Sequence, residues 1–178
     1  KLSIIIPAYN EEKRIGETLN SYSDFFENLF KEGKLDYEIL IVINNTTDKT
    51  EDIIKDYRRN NNRILYLNLK PGGKGFAVIE GFKDALKRDN ELIGFVDADM
   101  ATSPEEYWKL VKNIRNYDGV IASRAVKGSN VKASFYRKLT NRGFNLLVRL
   151  LLHVKFKDTQ CGAKLFKRKT IEELLISK

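Results

Sequence analysis

The 178-residue chain has little of what staples, spans or chelates: one cysteine (Cys161), one histidine (His153), one tryptophan, one methionine and three prolines. A single thiol excludes an intrachain disulfide framework and is compatible with a reducing compartment. No apolar run approaches the roughly 20 residues that a bilayer span needs. The lone His153 reads as a surface or packing residue. Neither GxxxxGK[ST] nor GxGxxG occurs, which excludes the usual P-loop nucleoside triphosphatases and dinucleotide dehydrogenases. Low-complexity linkers and internal repeats are also missing, so a single domain over residues 1–178 is expected. Lys1 leads directly into a strand-like run rather than a secretory leader. Without an initiator Met, an anchor removed ahead of it stays open.

What is present is enough to fold. Hydrophobic residues make up 42 % and aromatics 11 %, which excludes intrinsic disorder and supplies one core. Short runs rich in β-branched residues predict strands at Leu2–Ile6, Tyr37–Ile43, Arg63–Leu69, Leu92–Val96 and Gly119–Ala122. Helical stretches are expected between them at about 12–31, 50–59, 76–87 and 104–115. The last has Ser103 as N-cap, Pro104 at the first helical position and Glu106 to complete a capping box. Strand–helix alternation of this length predicts an α/β fold with a mostly parallel sheet.

In such sheets ligands gather beyond the carboxyl ends of the strands. Here those ends carry Pro7-Ala8-Tyr9-Asn10-Glu11-Glu12, Asn44-Asn45-Thr46-Thr47-Asp48, Pro71-Gly72-Gly73-Lys74-Gly75 and Asp97-Ala98-Asp99. Two carboxylates leaving one buried strand suit a hard divalent cation, Mg²⁺ or Mn²⁺, whose shell substrate phosphates can complete. A bare turn with two solvated acids reads the same way. The glycine loop ahead of a helix, with Lys74, suits a phosphate, or is a plain flexible turn. Tyr107 and Trp108, at the start of a helix, read as core rather than as stacking platforms.

The ordered set is more specific than its parts. SIIIPAYNEE, ILIVINNTTDKT, GGKGFAV, FVDADM and SRAVKG, in this order, resemble the family 2 glycosyltransferases of the GT-A fold, and among them the polyprenyl (dolichyl) phosphate hexose synthases. The block Ser134–Leu139 (SFYRKL) strengthens the likeness. So does Asp158-Thr159-Gln160-Cys161-Gly162 followed by Lys164-Leu165-Phe166, which is similar to the dolichyl-phosphate glucosyltransferase branch.

The resemblance implies a nucleotide-diphospho-sugar transferase fold, with a mostly parallel central sheet flanked by helices. Its nucleotide-sugar half would cover about 1–123 and its acceptor half about 124–178, the latter shorter than in relatives. It implies that Pro7, Ala8, Tyr9 and Glu11 meet the base and ribose, that Asn44 faces the base, and that Lys74 belongs to the donor site. Asp97, Ala98 and Asp99 would face the ribose and diphosphate, with Asp97 and Asp99 holding Mg²⁺ or Mn²⁺. Arg124 would lie between donor diphosphate and acceptor phosphate, and Arg137 and Asn141 would hold that phosphate. Asp158 would organise the acceptor, or act as a base if the acceptor were a hydroxyl. The chain departs from the pattern at Ile43 and Asn44, where relatives carry paired aspartates, and at Ala101, where some supply a glutamine ligand.

The implied activity is inverting transfer of a hexose to a polyprenyl or dolichyl phosphate. UDP-glucose is the favoured donor and GDP-mannose the other candidate. Alternatives are a family 2 transferase with a sugar hydroxyl as acceptor, a catalytically inactive nucleotide-sugar binder, and a basic nucleic-acid-binding module. The charge map weighs against the last. The chain carries +8 overall, but residues 124–169 hold 13 basic residues against one acid, leaving the remainder net acidic. Leu139, Leu146, Leu147, Leu150 and Leu151 would give 135–156 an apolar face flanked by cations, as in a helix lying on an anionic membrane, or in an ordinary helix packed on the sheet. The expected location is therefore cytoplasmic, peripheral at the cytoplasmic face of a membrane, with no nucleic-acid partner.

Overall fold

A computed structural model describes residues 1–70, 72–122 and 161–176. By internal contacts the chain divides into two compact units, Lys1–Val120 with Gly162–Lys178, and Ile121–Cys161. The site described below lies wholly in the first.

Among the described residues the expected strands all form: β1 (Leu2–Ala8), β2 (Tyr37–Asn44), β3 (Ile64–Leu69), β4 (Leu92–Val96) and β5 (Gly119–Ile121). A further strand, β6 (Ala163–Lys167), was not anticipated. Its alternation of small, basic and apolar residues is too short to stand out as a period-2 signal. The sheet order is β3-β2-β1-β4-β6-β5. β1 pairs in parallel with β2 and β4, and β2 with β3, whereas β6 runs antiparallel to β4. The sheet is therefore mostly parallel, with a reversal on one side.

Helices α1 (Ile15–Lys31), α2 (Thr50–Asn60), α3 (Lys74–Ala85) and α4 (Pro104–Asn113) fall where expected, and α5 (Arg168–Ile176) follows β6. Ile15, Leu19, Tyr22, Phe26 and Leu29 recur at helical spacing and are buried on one side of α1. The Ser103 hydroxyl accepts from the Glu106 amide at 3.3 Å and Pro104 opens α4, which gives the N-cap half of the expected capping box. Successive side chains of β1 and β2 point to opposite faces. Ile5, Leu40 and Val42 pack with Ala77 and Ala85 of α3 and with Ile171 of α5. An aromatic cluster of Tyr22, Phe26, Tyr37 and Tyr107 forms another part of the core. Tyr107 is fully buried, a core residue as expected.

Chain order places the site. From β1 the chain winds outward through β2 to β3, then crosses back to lay β4 on the other side of β1. The crevice between the β1 and β4 exits is the topological switch point where α/β folds bind ligands. No helix among the described residues is long and apolar enough to cross a membrane.

Candidate functional site

Three parallel strands end in turns that need a left-handed residue: Asn10 after β1 (φ 52°), Asn45 after β2 (φ 54°) and Met100 after β4 (φ 56°). Asparagine tolerates this region better than most side chains. The first two turns are laced together. Asn10 N–H donates to Thr46 Oγ1 at 2.9 Å and Glu11 N–H to Thr50 Oγ1 at 2.7 Å. In return Thr47 N–H donates to Asn10 Oδ1 at 2.9 Å. Asp48 completes the seam, accepting from Glu12 N–H and from the Thr50 amide and hydroxyl. Desolvation pushes the Asp48 carboxyl up, but these hydrogen bonds outweigh it and hold the group below its ordinary value.

The β4 exit is fixed from two sides. Thr18 Oγ1 of α1 donates to Ala98 O at 2.8 Å, and Tyr22 OH donates to Thr102 O at 2.9 Å. Burial pushes the Tyr22 phenol up, so it stays a donor. Asp99 Oδ1 accepts from Ala101 N–H at 3.0 Å, closing a local turn. From the opposite direction Asp97 N–H donates to Gly162 O at 3.0 Å, and a Cβ on Gly162 would overlap the Asp97 carboxylate. Only glycine lets β6 approach so closely. Thr18, Tyr22 and Gly162 are thus positioning residues. Gly162 closes the Asp158–Gly162 motif, whereas nothing in the sequence links the two α1 residues to residues 80 positions away.

A cavity of about 440 Å³ opens between these exits. Pro7, Ala8, Tyr9 and Glu11 line it from β1, Asn44 from β2, Lys74 from the α3 start, and Asp97, Ala98 and Asp99 from β4. Every donor-side candidate within the described residues therefore faces one space. Tyr9 is 56 % exposed, an aromatic ring held at the rim. Asn44 is buried, with Oδ1 lacking a hydrogen-bond partner. Ala98 is also buried, with its carbonyl taken by Thr18. Arg124, Arg137, Asn141 and Asp158, and the amphipathic stretch 135–156, lie outside the described residues.

The cavity also contains Arg14, which no motif in the sequence marks. Its guanidinium grips Glu11 through both carboxylate oxygens, at 2.7 and 2.9 Å. Lys74 Nζ lies 2.5 Å from Asp97 Oδ1. Two of the three acids lining the cavity thus have cationic partners, while the exposed Asp99 has none among the described residues. No group of three or more His, Cys, Asp or Glu side chains able to hold a metal occurs among the described residues. Hard oxygen donors at 97 and 99, with one charge uncompensated, still fit Mg²⁺ or Mn²⁺, cations that take few protein ligands and complete their shell with phosphate and water.

Comparison with known proteins agrees with this geometry. The model of the family described as glycosyl transferase family 2 matches residues 3–175. The dolichyl-phosphate beta-glucosyltransferase of Drosophila melanogaster is 35 % identical over 191 residues, covering 99 % of this chain and 57 % of that protein. The dolichol-phosphate mannosyltransferase of Pyrococcus furiosus is 31 % identical, covering 97 % and 47 %. The chain therefore spans about half the length of the curated relatives it matches. In fold it is similar to the mannosyltransferase PcManGT of Pyrobaculum calidifontis, solved in complex with GDP-Man and Mn²⁺. That match has a TM-score of 0.64 at 18 % identity and covers 97 % of this chain and 46 % of that one.

Proposed function

The chain belongs to glycosyl transferase family 2 and has the GT-A fold, and from that premise we propose that it transfers a hexose, glucose in first place, from a nucleoside-diphosphate sugar to a polyprenyl phosphate. The observation that carries this reading is the cavity at the β1/β4 switch point. It gathers an exposed aromatic ring, a buried amide, a lysine at a helix start and a carboxylate without a cationic partner among the described residues. These are the parts a nucleotide sugar needs. Tyr9 offers a face for the base. Asn44 offers a neutral donor–acceptor pair to the base edge. Lys74 and the α3 N-terminus supply positive charge for the diphosphate.

The names of the relatives support the acceptor and the sugar. One of the two relatives is a dolichyl-phosphate beta-glucosyltransferase and the other a dolichol-phosphate mannosyltransferase. The GDP-Man and Mn²⁺ in the PcManGT complex support a divalent cation held by Asp99 and Asp97. When bound, such an ion neutralises charge on the departing diphosphate. A lipid phosphate is already an anionic nucleophile, so the protein's task is to bring like charges together rather than to remove a proton. Arg124, Arg137 and Asn141 take that task, with Arg124 between the two phosphates, and Asp158 organises the acceptor. The 13 basic residues of 124–169 favour an anionic membrane surface on the cytoplasmic side.

The test is transfer of radiolabel from UDP-glucose or GDP-mannose into polyprenyl phosphate, counted in the organic phase with Mg²⁺ or Mn²⁺ present. The expected result is transfer from UDP-glucose that falls about 100-fold or more in Asp99→Ala. Equal transfer by that variant, or none from either donor by the parent protein, defeats the reading.

A further inference from the structure

The Asp97 carboxylate is held on two sides while its side chain, 22 % exposed, still lines the cavity. One oxygen abuts Gly162, where even a methyl group would not fit, and the Asp97 amide is tied to the Gly162 carbonyl. The other oxygen, Oδ1, is shielded from water and accepts no hydrogen bond; the Lys74 ammonium, 2.5 Å away, meets it as an ion pair. Of the two partners Asp97 is fixed and Lys74 can move. Its side chain is 57 % exposed, on a flexible four-carbon stem rooted at the first residue of α3. Beside that root is open space: a Cβ on Gly72, Gly73 or Gly75 would meet nothing within 4 Å.

We infer that Lys74 and a divalent cation compete for Asp97, and that the displaced ammonium moves to the diphosphate of the donor. Asp99 attracts the cation, since it is the acid in the cavity without a cationic partner among the described residues. A dication drawn to Asp99 comes within range of Asp97 two residues earlier, and there meets the ammonium already held. Like charges on one carboxylate repel. The partner that leaves is the singly charged, mobile one. The space beside the glycine backbone at the α3 start is where an anion would receive it. Asp97 and Lys74 then act as an exchange pair, coupling cation entry to diphosphate capture. The diphosphate half of this inference rests on the transferase reading; the competition at Asp97 needs only that a divalent cation binds Asp99, beside the Lys74–Asp97 pair.

Mn²⁺ and nucleotide titrations separate the two. Free Mn²⁺ is followed by electron paramagnetic resonance without nucleotide, in the parent protein, Lys74→Gln and Lys74→Arg. Removing the competing charge should tighten Mn²⁺ binding about three- to fivefold in Lys74→Gln, the scale of an exposed ion pair, and Lys74→Arg should stay near the parent. Calorimetry with UDP and GDP at saturating Mn²⁺ should show Lys74→Gln about tenfold weaker. Opposite shifts in the two titrations support the exchange. Unchanged or weaker Mn²⁺ binding by Lys74→Gln overturns it, even if the parent transfers sugar normally. Tighter Mn²⁺ binding by Lys74→Gln, with neither nucleotide bound by the parent, overturns the hand-over together with the transferase reading and leaves the competition supported.

Discussion

Thr18 on α1 donates its hydroxyl to the carbonyl of Ala98 at 2.8 Å, joining residues 80 positions apart at the middle of the Asp97-Ala98-Asp99 turn. Thr18 is itself fully buried. The carbonyl it satisfies lies between the two carboxylates on which the candidate site depends. α1 therefore has a second role beyond covering the sheet, for it sets where β4 releases its acids.

Thr18→Val keeps the shape and removes the donor. An unsatisfied buried carbonyl costs about 1–3 kcal/mol, which a urea titration should register as a lower midpoint with unchanged slope. Nucleotide affinity should also fall, because the turn relaxes toward another partner. A midpoint loss with unaltered affinity for UDP and GDP would show that the bond serves stability alone.

The seam between the first two loops is pH-sensitive in a defined direction. The Asp48 carboxyl is held below its ordinary value in the folded protein, since hydrogen bonds from Thr50 and Glu12 outweigh desolvation. Its stabilising contribution is therefore fully present above the unfolded carboxylate pKa of about 3.9. It is lost as pH falls through the lower folded-state value. Asp48→Asn should be less stable than the parent at neutral pH, and the gap should close in acid. Parallel stability curves from pH 7 down to about 2.5 would contradict this assignment.

How far the sequence was readable follows from the range of each signal. β1 to β4 were legible because buried parallel strands are continuous apolar runs, and α4 because Ser103 and Pro104 mark its start locally. The donor-side residues were legible because each follows a strand in an ordered series of motifs. β6 was not, since five residues with lysines at two positions give no clear period. Arg14 was missed because its role depends on a three-residue turn back to Glu11. Thr18 and Tyr22 act across 80 residues, a relationship that no window on a single sequence contains.

Gly162 offers a test of close approach. A methyl group at this position would meet the Asp97 carboxylate directly. Gly162→Ala must then displace either β6 or Asp97, so a destabilisation of about 1–3 kcal/mol is expected. If the carboxylate yields, Mn²⁺ affinity changes as well, whereas displacement of β6 alone leaves it intact. Unchanged stability, read from the urea midpoint, would mean that the strand and the carboxylate are not in contact in solution.

The acceptor can be identified through Asp158. A sugar hydroxyl must lose its proton as it attacks, and removing a general base costs about 10²–10⁴-fold in rate. A lipid phosphate carries its negative charge beforehand and needs no such step. With polyprenyl phosphate as acceptor, Asp158→Asn should therefore retain transfer within about tenfold of the parent, with the loss appearing mainly in KM for the lipid if the residue only organises the acceptor. Radiolabel counts at varied lipid concentration separate the two parameters. A collapse of kcat by about a thousandfold, with KM unmoved, would instead assign Asp158 as a base and point to a hydroxyl acceptor.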